Sequence, residues 1–213
     1  MLDRLLEKTE RLSRIAVWVA GGLLIFAAFM VTIDVILRKL FSVSMGGADE
    51  ITGYIFAIGT AWALTFTLLH RANVRIDALH QLLPRLARAV LDVLAVLVLG
   101  GFMFFVTKGA YSVFHGSLGL PFGDTDFWSV SITPLQTPLA LPQGLWLVGL
   151  AFFLFALALV SIRAVVALAQ GDLAAVSRVA GPRTHQEEVL EELHTAEAAH
   201  AESAAEIERA EDD

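Results

Sequence analysis

The sequence predicts an all-α integral membrane protein with four transmembrane helices, and three observations support this class. Hydrophobic residues make up 56% of the 213 residues, and the mean hydropathy is +0.68. A typical water-soluble domain is less apolar than this. Four long stretches are almost free of charge, and each has about the 17–25 residues that a helix needs to cross a hydrocarbon core. The basic residues between these stretches are also distributed unequally.

The four apolar stretches are the predicted spans, and they divide the chain into three parts. The parts are a charged N-terminal segment (1–14), a membrane domain (15–169) and an acidic tail (170–213). Within the membrane domain the spans cover about residues 15–37, 51–69, 89–106 and 145–166.

Charge between the spans predicts the topology, because basic residues near a span stay on the cytoplasmic side. Twelve of the fifteen Lys and Arg residues fall in the N-terminal segment, the second connection or the C-terminal part, and only Arg38, Lys39 and Lys108 do not. We therefore expect both termini in the cytoplasm.

The N-terminal basic flank is also typical of a signal peptide. However, the apolar run that follows is long and lacks a clear cleavage site, so we expect an uncleaved first span.

The N-terminal segment has leucines at helical spacing with charges between them, which indicates an amphipathic helix. It either lies on the inner membrane surface or extends the first span. After that span, Asp34 and Arg38 are four residues apart in the order that favours a helical ion pair. Asp49 and Glu50 open span two, where the helix dipole favours negative charge. We predict that Arg38 lies near Glu50 or Asp49 and fixes the first hairpin; independent solvation at the interface is the alternative.

The second connection, residues 70–88, alternates apolar and charged positions in a pattern that favours an interfacial amphipathic helix in contact with membrane lipids. An ordinary polar connection is the alternative.

The third connection, about residues 107–144, is long and rich in Pro, Gly, Ser and Thr, and such a loop could cap a partner subunit. Residues 183–213 carry eleven acidic residues and two arginines, which predicts a solvated tail, partly helical or disordered.

Several kinds of chemistry find no support in the sequence. The absence of cysteine excludes disulfides and thiolate catalysis. Neither a catalytic triad, a phosphate-binding loop, a metal-binding cluster nor a basic groove for nucleic acid is visible, so we expect no enzyme activity, no cofactor and no nucleic-acid partner. The span centres, near Phe26, Thr60, Val98 and Phe155, carry no ionisable residue. A solute pathway within this chain alone is therefore disfavoured.

Residues 10–170 resemble the small permease subunit of tripartite ATP-independent periplasmic (TRAP) transporters, the DctQ-like family. The resemblance rests on Asp34 and Arg38 closing span one, Glu50 opening span two, and Trp62 within it. It also rests on the run from His70 to Asp77, on Leu83-Pro84, and on the run from Thr137 to Pro142 before Trp146. The candidate structural or interface residues are Asp34, Arg38, Asp49, Glu50, Trp62, His70, Arg75 and Asp77.

The resemblance implies a stator in the bacterial inner membrane with two protein partners. One is a large multi-span permease subunit that carries a sodium-coupled elevator, and the other is a periplasmic solute-binding protein that delivers an organic acid, such as a C4-dicarboxylate.

Small residues at Gly53, Ala57 and Ala61 share one face of span two and offer a close approach to a partner helix, as does Gly100-Gly101. Two alternatives remain: an unrelated membrane scaffold or assembly protein, and a homo-oligomeric channel, which would need a polar stripe that the spans lack.

Overall fold

The computed structural model describes residues 2–71, 83–118 and 129–181, together with a few isolated positions in the tail. These residues form five helices, and the described part of the chain contains no strand. Four of the helices are long and apolar enough to cross a membrane, which confirms the predicted class. The helices are α1 (Leu2–Phe41), α2 (Ala48–Leu69), α3 (Arg85–Ser117), α4 (Ala140–Ala169) and α5 (Leu173–Ala180).

The first helix is continuous over 40 residues. At 1.5 Å per residue it is about 60 Å long, roughly twice the thickness of a bilayer's hydrocarbon core. The charged N-terminal segment and the first span are therefore one helix. Within the charged part, Thr9 and Ser13 are buried and Leu6 packs against the hydrophobic core, so this part contacts the rest of the bundle.

The third and fourth helices are longer than the predicted spans. α3 continues eleven residues beyond the predicted end at 106, and α4 begins five residues before the predicted start at 145. No proline interrupts residues 107–117, so nothing breaks the helix when the apolar stretch ends. Pro142 lies in the first turn of α4, where the backbone N–H has no partner within the helix in any case.

The helices pack as two antiparallel hairpins. α1 packs on α2, α3 packs on α4, and contacts between α2 and α4 join the hairpins. The short helix α5 packs on α3 and α4. The hydrophobic core lies mainly along α3 and α4, where buried alanines such as Ala156 and Ala164 alternate with Phe153 and Leu157. Small residues of this kind allow close helix packing in a membrane.

The two ends of the bundle differ in content. One end, the hairpin end, holds the α1–α2 connection (42–47) and residues 129–139. The opposite end, the terminal end, holds the first turns of α1, the end of α2 at His70, the start of α3 and the whole of α5.

The two hairpins approach each other closely at Gly149 of α4. A Cβ atom on Gly149 would lie 2.7 Å from Cδ1 of Trp62 and 3.1 Å from Cβ of Ala61. Ala61 is only 2% exposed and packs against α4. The expectation that Ala61 shares a partner-facing surface with Gly53 and Ala57 is therefore wrong, because this position is used within the chain.

Replacing Gly149 with alanine tests this approach. We expect Gly149→Ala to lower the free energy of unfolding by about 1–3 kcal/mol, because the new methyl group overpacks the site against Trp62. The matched control is Gly101→Ala on α3, where an added Cβ would meet no atom within 4 Å. The control should be neutral, or more stable by up to about 1 kcal/mol from helix propensity. Unfolding by SDS titration measures both variants, and equal midpoints would contradict the packing described.

Candidate functional site

A buried carboxylate organises the hairpin end. Asp34 is 2% exposed, and its Oδ2 accepts a hydrogen bond from Nη2 of Arg38 at 2.5 Å. Its Oδ1 accepts from the backbone N–H of Met45 at 2.6 Å and from the hydroxyl of Ser44 at 3.2 Å. Hydrogen bonds to an ionised group are stronger than neutral ones. Asp34 therefore ties the last turns of α1 to the connection that leads into α2.

The predicted pairing of Asp34 with Arg38 is confirmed, whereas the predicted pairing of Arg38 with Glu50 or Asp49 is wrong, because neither carboxylate forms an ion pair with Arg38. The Arg38 guanidinium also donates to Ser44 Oγ at 3.3 Å, so its hydrogen bonds go to α1 and to the connection between α1 and α2. Asp49 is exposed to solvent, and Glu50 binds other partners. Arg38 pairs with Asp34 because a spacing of four residues places the two side chains next to each other on one face of the helix.

Glu50 forms a second polar cluster at the hairpin end. Its Oε1 accepts a hydrogen bond from the Tyr54 hydroxyl at 2.6 Å, and its Oε2 accepts one from the Thr133 hydroxyl. The Thr133 hydroxyl in turn lies 2.7 Å from Oγ of Ser131. Glu50 therefore connects the first turn of α2 to residues 129–139, which lead directly into α4.

Residues 129–139 fold back on themselves. The backbone N–H of Ser131 donates to the carbonyl of Thr137 at 2.9 Å, and Gln136 N–H donates to Thr133 at 3.0 Å. The turn between them lies against the α1–α2 connection: a Cβ atom on Gly47 would lie 2.9 Å from Cδ1 of Leu135. This part of the third connection therefore covers the first connection of its own chain, a role that the sequence did not indicate.

Trp62 is partly buried and links α2 to α4. Its indole Nε1 donates to the carbonyl of Leu145 at 3.0 Å, and its ring centroid lies 5.9 Å from that of Phe152. An indole N–H within a membrane needs a partner from the protein, because lipid tails cannot supply one. Trp62 thus joins the two hairpins through a directional contact.

The terminal end carries a more exposed set of contacts. Nε2 of His70 lies 3.6 Å from Oε1 of Glu10, and that same oxygen lies 3.2 Å from Nη2 of Arg14. Nη1 of Arg71 donates to the carbonyl of Ser177 at 3.4 Å, which connects the end of α2 to α5. The predicted site residues Arg75 and Asp77, and most of the proposed interfacial helix, lie outside the described residues.

These arrangements hold helices together rather than present reactive groups. Within the ranges that the structure describes, no three His, Asp or Glu side chains are placed to hold a metal ion. Asp34 and Glu50 each accept a hydrogen bond from a donor on another segment. The Asp34 and Glu50 clusters therefore have a structural role: they hold the helix ends in position.

Comparison with known families identifies the chain. The model of the family described as "Tripartite ATP-independent periplasmic transporters, DctQ component" matches residues 27–171, about two thirds of the sequence. The chain belongs to the DctQ family. It is a small subunit of a TRAP transporter. The members of this family are transporter components and are not known as enzymes. No curated protein and no solved structure matches the chain.

The matched range places the DctQ signature on the part of the chain that these contacts organise. It includes Asp34, Arg38, Glu50 and Trp62, together with the segment that supplies Thr133. It leaves out residues 1–26, which include more than half of α1, and everything after residue 171, which includes α5 and most of the acidic tail. The family resemblance inferred from the sequence is thus confirmed over residues 27–171.

Two double-mutant cycles distinguish the observed ion pair from the one expected at first. Asp34→Asn combined with Arg38→Gln should show a clear coupling in thermal unfolding, because the two side chains bond directly. Arg38→Gln combined with Glu50→Gln should be additive, because each residue binds a different partner. Melting temperatures of the purified variants in detergent provide the measurement. Additivity in the first cycle, or coupling in the second, would show that the hairpin end is arranged differently.

Proposed function

We propose that this DctQ chain is the stator of a TRAP importer in a bacterial inner membrane. In this proposal it braces the large permease subunit, while a periplasmic solute-binding protein delivers an organic acid whose uptake is coupled to sodium. Family membership supports the partnership, because the DctQ component is one part of a tripartite system. Family membership also disfavours the alternative of an unrelated membrane scaffold.

The observation that carries this proposal is the absence of ionisable side chains from the middle of the four spans. Ion and solute pathways through a membrane usually place ionisable residues or broken helices near the bilayer centre. In this chain the helices α1 to α4 run unbroken between their bounds. The stretches that lack Asp, Glu, Lys, Arg and His are residues 15–33, 51–69, 93–107 and 140–162.

Hydroxyl groups within the spans do not supply a pathway either. Thr60 donates to the carbonyl of Phe56 at 2.7 Å, and Thr107 and Ser161 each donate to the carbonyl four residues earlier. Such bonds satisfy the hydroxyl within its own helix. Thr52 and Thr65 differ, since the Oγ1 atom of each is buried and no described residue hydrogen-bonds to it. Two hydroxyls thirteen residues apart in one helix do not form a polar stripe.

The outer helices present broad apolar faces that suit a bracing role. Large side chains on α1 and α3 remain uncovered by the rest of the chain; Trp18 is 79% exposed and Phe105 is 70% exposed. In a membrane such surfaces contact lipid or another membrane protein. Because contacts at both ends and Trp62 between them join the two hairpins, the chain can present these faces as one rigid body.

Charge supports an orientation with both termini in the cytoplasm. Among the residues that the structure describes, the basic ones concentrate at the terminal end, and only Arg38, Lys39 and Lys108 lie toward the hairpin end. The positive-inside rule then places the terminal end in the cytoplasm. In this orientation the Asp34 and Glu50 clusters face the periplasm, the side from which a solute-binding protein would approach.

Reconstitution tests the proposed division of labour. The tagged chain is co-expressed with the large permease subunit, and the purified complex and the purified chain are placed in separate liposomes with an inward sodium gradient. We expect the large subunit to copurify with the chain. Uptake of radiolabelled succinate, used as a representative C4-dicarboxylate, should be absent for the chain alone, because its spans hold no site for an anion.

Two outcomes would contradict the proposal. One is sodium-dependent uptake by liposomes that contain only this chain. The other is recovery of the chain without the large subunit when both are present in the same membranes. Empty liposomes, and liposomes that contain an unrelated four-span protein, serve as controls for leakage.

A further inference from the structure

The terminal end contains a cavity that the contacts described above do not explain. Its volume is about 430 Å³, within the range of about 300–1,000 Å³ that is usual for small-molecule sites. Four helices contribute to its lining: α1, α2, α4 and α5. The cavity therefore exists only when both hairpins and the short helix α5 are assembled.

The charged side chains that line the cavity balance one another. Glu7 and Glu10 come from α1, whereas Arg163 comes from α4 and Arg178 from α5. The lining also includes apolar side chains, among them the buried Leu68 and Val160. A site with two carboxylates, two guanidinium groups and apolar walls is complementary to a ligand that carries one group of each sign beside hydrocarbon.

The position of the cavity along the bundle indicates the depth of such a ligand. In α1 the last charged residue before the uncharged stretch is Arg14, one helical turn beyond Glu10. In α4 Arg163 is the first charged residue after the uncharged stretch 140–162. The cavity thus lies where apolar spans give way to charged turns, which corresponds to the headgroup layer of a bilayer.

We propose that this cavity binds the headgroup of phosphatidylethanolamine. Guanidinium groups bind phosphate oxygens in a bidentate geometry, which suits Arg163 and Arg178. The primary ammonium has three N–H donors, which suits the carboxylates of Glu7 and Glu10. The acyl chains would continue along the apolar helix surfaces. The inference does not depend on the proposed stator role.

The charge balance separates this lipid from its common alternatives. An anionic headgroup without an ammonium, such as phosphatidylglycerol, would place negative charge beside two carboxylates. The trimethylammonium of phosphatidylcholine has no N–H to donate. Glu10 already contacts Arg14 and His70, but both contacts use Oε1, and a carboxylate has capacity for about four hydrogen bonds.

Native mass spectrometry of the full-length chain tests the proposal. The chain is titrated in detergent with phosphatidylethanolamine, phosphatidylglycerol and phosphatidylcholine that have the same acyl chains. We expect phosphatidylethanolamine to bind about tenfold more tightly than the other two, since it alone offers both a phosphate to the arginines and N–H donors to the carboxylates. Arg163→Gln with Arg178→Gln should weaken its binding about tenfold, and Glu7→Gln with Glu10→Gln should remove its advantage over phosphatidylglycerol. Arg11→Gln, an exposed position on α1 that does not line the cavity, should bind like the wild-type chain.

The wild-type comparison decides the matter even if a double variant fails to fold. Equal or tighter binding of phosphatidylglycerol would overturn the proposal, as would undiminished phosphatidylethanolamine binding by the folded arginine variant. Soluble glycerophosphoethanolamine distinguishes a lipid from a free phosphate ester. It should compete only weakly, because it lacks acyl chains, and competition as strong as that of the lipid itself would rule out a lipid site.

Discussion

A bilayer interior offers no hydrogen bonds, so every polar group within it must find a partner inside the protein. This constraint accounts for the distribution of chemistry along the chain. Each of the four long helices satisfies its own backbone, and its central residues are mostly apolar, with hydroxyls such as that of Thr60 bonded to a carbonyl of the same helix. Within the four long helices, carboxylates and guanidinium groups occur only toward the two ends, where they can be solvated or paired.

The polar groups at the hairpin end connect helices in a way that the apolar surfaces alone cannot. Hydrophobic contact distinguishes little between a neighbouring helix and a lipid tail. Directional bonds do distinguish them: Asp34 binds the backbone of Met45, and Glu50 binds Thr133, whose segment leads into α4. Trp62 adds a bond between the hairpins at Leu145. Together these contacts give a small protein one defined shape, which a brace for a moving partner requires.

The sequence predicted the features that depend on composition or on neighbours in the helix. Four spans follow from apolar length, and the Asp34–Arg38 pair follows from a spacing of four. The Glu50–Tyr54 bond has the same spacing and could have been predicted in the same way.

Contacts between distant segments were beyond sequence reasoning. Thr133 lies 83 residues from Glu50, and no local pattern connects the two. Because the sequence does not show that Thr133 binds Glu50, we predicted Arg38 as a partner of Glu50, and this prediction is wrong. The prediction for Ala61 is wrong for a similar reason. Spacing places Ala61 on one face of α2 but does not indicate which helix packs against that face.

Because the natural sequence contains no cysteine, single cysteines can report directly whether water enters this chain. Cysteine is placed at the span centres Phe26, Thr60, Val98 and Phe155, and, as references, at Thr133 and Lys8. A membrane-impermeant maleimide is then applied to intact cells that express the whole transporter, and to opened cells. We expect labelling at Thr133 in intact cells, at Lys8 only after the cells are opened, and at no span centre in either case. Labelling of a span centre would show a water-filled path through the chain and would contradict a purely bracing role.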